Sequence, residues 1–183
     1  NLSLNLQSTG LPSGVTVSLD EMSNLSFSVG QTKVLPLSVQ TSAITPVGDH
    51  SITLSLADST GLVLTSQALT LQVLPTVSVG VSAGSNWVIV GAGNATIFSI
   101  NVANLGDASD TISIDLDTTD LGSDYGVSIS SQTLTIDAGD SQQVELSLSL
   151  LDTPTSSTSD LVIVIQSGLD AMVSDVMILT IHA

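Results

Sequence analysis

The sequence repeats itself with a spacing of about 110 residues. Residues 69–72 (Leu-Thr-Leu-Gln) return as residues 179–182 (Leu-Thr-Ile-His), 110 positions later. The turn signal at residues 29–31 (Val-Gly-Gln) returns at residues 138–140 (Ala-Gly-Asp), 109 positions later. Self-similarity at a fixed spacing is the signature of tandem modules. The chain is therefore expected to contain two copies of one fold.

Apolar residues recur at every second position through most of both copies, as at Ile52, Leu54 and Leu56. This period is typical of half-buried strands, and Ser and Thr occupy most of the alternate positions. No segment shows a sustained helical stripe. Short strands separated by Gly- and Asp-containing turns predict an all-β fold of the sandwich type. In the second copy, strands are predicted near residues 77–81, 87–90, 96–102, 111–117, 126–130, 133–136, 143–150, 161–166 and 173–181.

The first copy begins partway through the repeated unit. Residues 2–6 align with residues 112–116, and nothing before Asn1 aligns with residues 76–110. We therefore expect two domains: a partial sandwich at residues 1–75 that lacks its opening strands, and a complete sandwich at residues 76–183. A partial sandwich exposes aliphatic core and unpaired strand edges. The leucines predicted to form this open acceptor groove are Leu2, Leu4, Leu6, Leu35 and Leu37.

Three arrangements would close such a groove. The missing strands lie upstream in a longer array, a neighbouring molecule donates a strand, or the first domain is smaller but complete. The inter-domain junction, Leu74-Pro75-Thr76, has no Gly- or Ser-rich spacer. Because proline restricts the backbone, the sequence predicts a defined angle between adjacent modules.

Charge and composition exclude several classes of partner. The chain has a formal net charge of −16, with one Lys or Arg against seventeen acids, so nucleic acid and anionic membranes are repelled. The absence of cysteine removes disulfides, thiolate catalysis and zinc–thiolate sites, and in a secreted protein it favours a prokaryotic source. No apolar run approaches the ~20 residues of a membrane span, so no membrane insertion is expected in this segment.

Several turn and strand patterns carry a resemblance to a known family. They are Gly-Leu-Pro-Ser-Gly-Val at residues 10–15, Val-Gly-Gln at 29–31, Thr-Pro-Val-Gly-Asp at 45–49 and Asn-Val-Ala-Asn-Leu-Gly-Asp at 101–107. With these, the chain resembles prokaryotic immunoglobulin-like surface repeats of the cell-adhesion-related (CARDB) and alpha-galactosidase-associated kinds. The resemblance implies tandem immunoglobulin-like sandwiches that serve as a stalk, filament, surface-layer or adhesion module.

Candidate catalytic groups are few. His50 precedes a predicted strand and His182 takes an outward position on the last one, so both are interpreted as surface histidines rather than members of a triad. With only four aromatic residues, the chain also lacks the platforms that sugar hydrolysis uses. We expect no enzymatic activity and no organic cofactor.

Calcium is the candidate metal. Four aspartates in or near predicted loops of the second copy supply hard oxygen ligands, although no loop fits the Asp-x-Asp-x-Asp-Gly spacing, and solubility explains them equally well. They are Asp107, Asp110, Asp120 and Asp124. Three Asn-x-Ser/Thr sequons, at Asn1, Asn24 and Asn94, are candidate glycan acceptors.

These observations predict an extracellular structural protein: a repeating immunoglobulin-like unit of an archaeal or bacterial surface filament, stalk or layer. Its expected partners are identical chains or adjacent repeats, and strand donation is one of the ways in which they would assemble. The alternative is an adhesion or ligand-binding module, or an accessory domain of a secreted enzyme.

Overall fold

A computed structural model describes residues 5–19, 29–32, 34–42, 44–58, 60–154 and 156–183, with backbone alone for residues 5–7 and 19. The described chain is all-β and divides into two compact units between Leu74 and Pro75. The strands of unit 1 are β1 (Asn5–Thr9), β2 (Thr16–Leu19), β3 (Leu37–Gln40), β4 (Gly48–Ala57) and β5 (Val63–Val73). Those of unit 2 are β6 (Val79–Ala83), β7 (Trp87–Ile89), β8 (Thr96–Asn104), β9 (Asp110–Asp117), β10 (Tyr125–Ile129), β11 (Thr133–Ile136), β12 (Ser141–Leu150), β13 (Thr158–Gln166) and β14 (Ser174–His182).

All nine strands predicted for the second copy are present, with ends displaced by at most a few residues. The alternation that predicted them is visible in their burial. On β13, Leu161, Ile163 and Ile165 are fully buried, while the residues between them face outward. Period-two burial of this kind arises because successive strand side chains point to opposite faces of the sheet.

Unit 2 is a sandwich of two sheets with strand orders β10-β12-β8-β6 and β11-β9-β13-β14-β7. Neighbouring strands are antiparallel except β7, which runs parallel to β14. Strands β6, β8, β12 and β10 take the places of A, B, E and D of an immunoglobulin domain, and β9, β13 and β14 take those of C, F and G. The immunoglobulin-like fold class predicted from sequence is thereby confirmed. Its core joins both sheets through buried aliphatic side chains such as Ile100, Leu146 and Ile181.

Unit 1 repeats five of these strands in the same pairing order. Its three-stranded sheet β1-β4-β5 corresponds to β9-β13-β14, and its pair β2-β3 corresponds to β10-β12. Ile52 pairs with Leu69 in unit 1 as Leu161 pairs with Leu179 in unit 2. Gly30 and Gly139, which precede β3 and β12, have positive φ values of 76° and 77°, a conformation that glycine adopts without steric cost.

The alignment of the first strand was wrong by two residues. It matched Leu6 with Leu116, but Leu6 pairs with Leu56 across β1 and β4, as Ile114 pairs with Ile165 across β9 and β13. Leu6 is therefore the counterpart of Ile114. A shift of two keeps every side chain on its original face, so the alternating pattern alone cannot distinguish the two registers.

Candidate assembly site

Two strands of unit 1 have an edge that is paired in unit 2. In the described part of unit 1, β3 pairs only with β2, and β5 pairs only with β4. Their counterparts have a second neighbour: β12 is also paired with β8, and β14 with β7. We call the edges of β3 and β5 that have no strand neighbour among the described residues, with the inward side chains behind them, the open edge of unit 1.

The lengths of β3 and β12 also differ. It has four residues, whereas β12 has ten. Residues Ser141–Leu148 of β12 pair with β8, and only its last five residues pair with β10. The residues of β12 that pair with β8 alone correspond to the segment immediately before β3, where residues 34–36 are described without strand pairing. Strand structure in β12 thus extends as far as its second neighbour, whereas β3 begins directly after Pro36, which has no backbone N–H to donate to a strand partner.

Equivalent core positions differ in exposure between the two units. Leu69 on β5 is 38% exposed, but its counterpart Leu179 is completely buried. Val39 on β3 is 39% exposed, whereas Leu148 is 1% exposed. Full burial of one aliphatic side chain contributes about 1.5–3 kcal/mol. A few such positions are worth as much as the net stability of a small domain, so the open edge leaves unit 1 with a much smaller stabilising core.

The leucines predicted for the acceptor groove are only partly described. Leu2 and Leu4 lie outside the described residues, and Leu6 lies in β1 with its side chain undescribed. Leu35 and Leu37 are half-buried at the open edge. Sequence reasoning did not include Val39 and Leu69 in the groove, although the 110-residue repeat aligns them with the core positions Leu148 and Leu179.

Strand β5 has little protection against pairing with another strand. It is eleven residues long and contains no proline and no charged residue, and the irregularity in its pairing with β4 is confined to its start, opposite Leu56 and Ala57. Natural edge strands commonly carry lysine, proline or a bulge that blocks association. An unprotected edge of this length is a ready template for an additional strand.

The four aspartates predicted as calcium ligands do not come together. Asp107 and Asp110 lie before and at the start of β9, and Asp120 and Asp124 follow its end, so the eight residues of β9, about 25 Å, separate the pairs. Within the described ranges, no group of three or more His, Asp or Glu side chains forms a metal cluster. The calcium site remains a sequence prediction, and these positions cannot supply ligands to one common ion.

Asp107 and Asp110 have structural roles. The backbone N–H of Thr76 donates to Asp107 Oδ1 at 2.8 Å, and the N–H of Asp107 donates back to the carbonyl of Thr76 at 3.2 Å. This pair fixes the entry of the chain into unit 2, next to the predicted junction Leu74-Pro75-Thr76. Asp110 lies at the end of a loop, as predicted, but as the first residue of β9 its side chain is buried.

Asp120 and Asp124 line a cavity of about 430 Å³ at the other end of β9, together with Thr119, Ser123, Ser156 and Thr158. Asp120 Oδ2 accepts a hydrogen bond of 2.7 Å from the backbone N–H of Asp160. That bond holds the loop after β9 against the start of β13. Asp120 therefore already uses one of its carboxylate oxygens in a hydrogen bond within unit 2.

The remaining sequence-predicted positions are dispersed. His50 Nε2 lies 2.7 Å from the carbonyl oxygen of Pro46, and the ring of His182 lies edge-on to Trp87 with centroids 6.0 Å apart. Asn94 is exposed in the turn before β8, where a glycan would meet solvent. Asn1 and Asn24 lie outside the described residues. None of the described residues forms a helix long and apolar enough to span a membrane.

Comparison with known proteins gives no family assignment. No family model matches the sequence, and no curated protein matches it. The resemblance to CARDB-type repeats therefore remains a prediction.

Several solved structures are similar in fold at low identity. The crystal structure of the E. coli chaperone DraB matches with 13% identity and a TM-score of 0.43, covering 57% of this chain and 53% of that one, so the chain spans about half of DraB. A protein of unknown function from Porphyromonas gingivalis W83 matches with 15% identity, a TM-score of 0.39 and coverage of 100% and 86%. The D00-D0 domain of Intimin matches with 12% identity, a TM-score of 0.39 and coverage of 97% and 85%. No functional assignment rests on these similarities.

Proposed function

We propose that the chain is a structural module of an extracellular prokaryotic assembly, a filament, stalk or surface layer, in which a strand from an adjacent repeat or a neighbouring chain completes unit 1. The observation that carries the proposal is the contrast between Leu69 and Leu179. These leucines occupy equivalent positions in one fold, yet one is exposed and the other is buried. Burying the open edge is the free-energy gain that drives assembly.

Unit 2 defines the chemistry of the completing strand. There, β8 lies antiparallel to β12 and turns Ile100 and Val102 into the core, with Phe98 packed against it. A strand that completes unit 1 therefore alternates apolar with polar residues and runs antiparallel to β3. Because Ile100 pairs with Val144, the counterpart of Leu35, the central apolar residue of the incoming strand lies opposite Leu35.

Composition agrees with assembly outside the cell. The chain contains no cysteine and one basic residue, so its strands meet without disulfides and with few ion pairs. Backbone pairing and aliphatic burial then supply most of the association energy. We assign no catalytic role to any residue.

The proposal is tested by sedimentation velocity of the full chain over a range of concentrations. We expect concentration-dependent association of the wild type. Leu69→Lys places a charge at the open edge and suppresses association. The matched control is Ala68→Lys, which puts the same charge on the opposite face of the same strand and leaves association largely intact.

Two results would contradict the proposal. One is a wild-type chain that stays monomeric with unit 1 as stable as unit 2. The other is equal loss of association in both lysine variants, which would indicate a general effect of charge. A stable monomer would instead favour the alternative of an adhesion or accessory module.

A further inference from the structure

The outer face of the five-stranded sheet in unit 2 carries an exposed apolar patch. Its six members lie on three neighbouring strands, and Trp87, Ile89, Val176 and Ile178 are each more than half exposed. Val162 pairs with Ile178 and Val164 with Val176. Trp87 and Ile89 pair with Thr180 and His182 further along β14, so Ile178 is the diagonal neighbour of Trp87. We call this set the outer patch: Trp87, Ile89, Val162, Val164, Val176 and Ile178.

The fold does not require this patch. In unit 1 the positions equivalent to the pair Val164–Val176 hold the pair Ser55–Ser66, and Thr53–Ala68 replaces Val162–Ile178. The same sheet face is thus built from hydroxyl-bearing and small residues elsewhere in the chain. Solvent-exposed apolar surface that a homologous copy omits is a mark of a binding site.

The patch has a tryptophan at its end and a recess beside it. Trp87, Ile89 and His182 line a cavity of about 370 Å³, and the edge-on contact between the Trp87 and His182 rings holds the indole in place. Tryptophan supplies a large contact area at low entropic cost and is enriched among residues that dominate binding energy. The recess can receive one apolar side chain of a partner.

Acidic residues border the patch. Asp115 and Asp117 on β9 are exposed and pair with Val164 and Val162, on the side away from β14. Asp160 lies on the same face and accepts a hydrogen bond from the hydroxyl of Thr180. The hydrogen bonds from Thr119 hold the pKa of Asp117 below its usual value, so this carboxylate remains charged in mildly acidic solution.

We propose that the outer patch binds a cationic amphipathic protein segment, in which apolar side chains are flanked by Lys or Arg. The apolar centre removes aliphatic surface from water, and the aspartates on β9 and β13 attract the basic flanks. A second copy of the outer patch is a poor partner, because it brings the same acidic border, with Asp115 and Asp117, against the first. Opposite charge at the border also speeds encounter at low salt.

The single tryptophan of the chain allows a direct test. The probe is a synthetic peptide that alternates leucine with lysine, and the control peptide alternates leucine with glutamate. We expect the leucine–lysine peptide to shift Trp87 emission to the blue, to protect it from acrylamide quenching, and to bind more weakly as salt is raised.

Variants that carry the residues of unit 1 test whether the leucine–lysine peptide binds at the outer patch. Val176→Ser with Ile178→Ala installs the residues found at Ser66 and Ala68, and is expected to weaken binding by about tenfold or more. Met172→Ala removes a 90% exposed apolar side chain outside the patch and leaves binding unchanged. Thermal melts of both variants confirm that unit 2 remains folded.

Four results would overturn the proposal. The first is that the leucine–lysine peptide does not change Trp87 emission, and the second is that the leucine–glutamate peptide binds equally well. The third is that the double variant binds the leucine–lysine peptide as tightly as the wild type does. The fourth is that the wild type forms a dimer and the double variant dissociates it. The last would assign the patch to self-association. A response of Trp87 to a neutral oligosaccharide in place of the peptide would assign it to glycan binding.

Discussion

Asp110 and Ser167 form a buried hydrogen bond of 2.5 Å between the start of β9 and the turn after β13. The same carboxylate accepts the backbone N–H groups of Gly168 and Leu169 at 3.0 and 3.2 Å. In unit 1 the position equivalent to Ser167 is Asp58, which fixes its own turn through Thr60 and Leu62. The two copies therefore hold the same turn with different groups.

Removal of the Asp110 carboxylate is expected to destabilise unit 2. Asp110→Ala leaves the Ser167 hydroxyl and the Gly168 N–H without their acceptor, at a cost of about 2–4 kcal/mol, whereas the Leu169 N–H still donates to Ser167 Oγ. Urea denaturation followed by Trp87 fluorescence measures the change. The matched control is Asp115→Ala on the exposed face of β9, expected to stay within about 0.5 kcal/mol of wild type. Similar losses in the two variants would refute the structural role of Asp110.

Tyr125 offers a substitution that is expected to stabilise the protein. Its side chain is buried, and its hydroxyl has no hydrogen-bond partner within the described part of the chain. Because an unsatisfied buried hydroxyl costs free energy, Tyr125→Phe should raise the free energy of unfolding of unit 2 by about 1 kcal/mol. The same urea titration measures it. A loss of stability would show that the hydroxyl has a partner in solution.

Two exposed aspartates, Asp58 and Asp117, should have pKa values below the ordinary value of an aspartate side chain. The pKa of Asp58 is held below its ordinary value of 3.8 by hydrogen bonds from the hydroxyl and backbone N–H of Thr60, and Asp117 is held likewise by Thr119. Thr60→Val and Thr119→Val remove the hydroxyls and should raise the respective pKa values. Carboxyl chemical shifts in an NMR titration report each group.

The sign of the linked stability follows from the direction of these shifts. A folded-state pKa below the unfolded value stabilises the fold above the ordinary pKa, and this contribution is lost as the pH falls through the folded value. Acid should therefore weaken both turns, and the valine variants should lose less stability on acidification than the wild type. Unchanged pKa values in the variants would contradict the assigned hydrogen bonds.

Much of the fold could be predicted from the chain because its strands follow a strict period of two. The buried series on β12 and β13 is visible as alternating aliphatic residues, and the turn glycine Gly139 marks where β12 begins. The register in which the strands pair could not be predicted from this alternation. The alignment of Leu6 was wrong by two residues because even shifts preserve the buried face.

The sites were less accessible to sequence reasoning. In the sequence, Asp107 and Asp110 looked like exposed oxygen ligands. Their hydrogen-bond partners are distant along the chain: Thr76 lies 31 residues from Asp107, and Ser167 lies 57 residues from Asp110. These contacts form only when the sheets pack, so the sequence did not reveal them. The outer patch was different. Comparison of Ser66 with Val176 and of Ala68 with Ile178 along the repeat reveals the apolar residues. Only the sheet register shows that they continue towards Trp87, which pairs with Thr180, two residues beyond Ile178.

Amide hydrogen exchange is the most direct test of the claim that an outside strand completes unit 1. The wild-type chain is compared at low concentration with a chain carrying an added copy of residues 76–108 ahead of Asn1, and with a control in which Phe98, Ile100 and Val102 of that copy are serine. In the wild type, the amides of Val34 and Leu35 and those of β5 should exchange fast, and their counterparts in β12 and β14 slowly. The added segment should slow exchange in unit 1, and the serine control should not. Protection of unit 1 equal to that of unit 2 in the wild-type monomer would contradict the account.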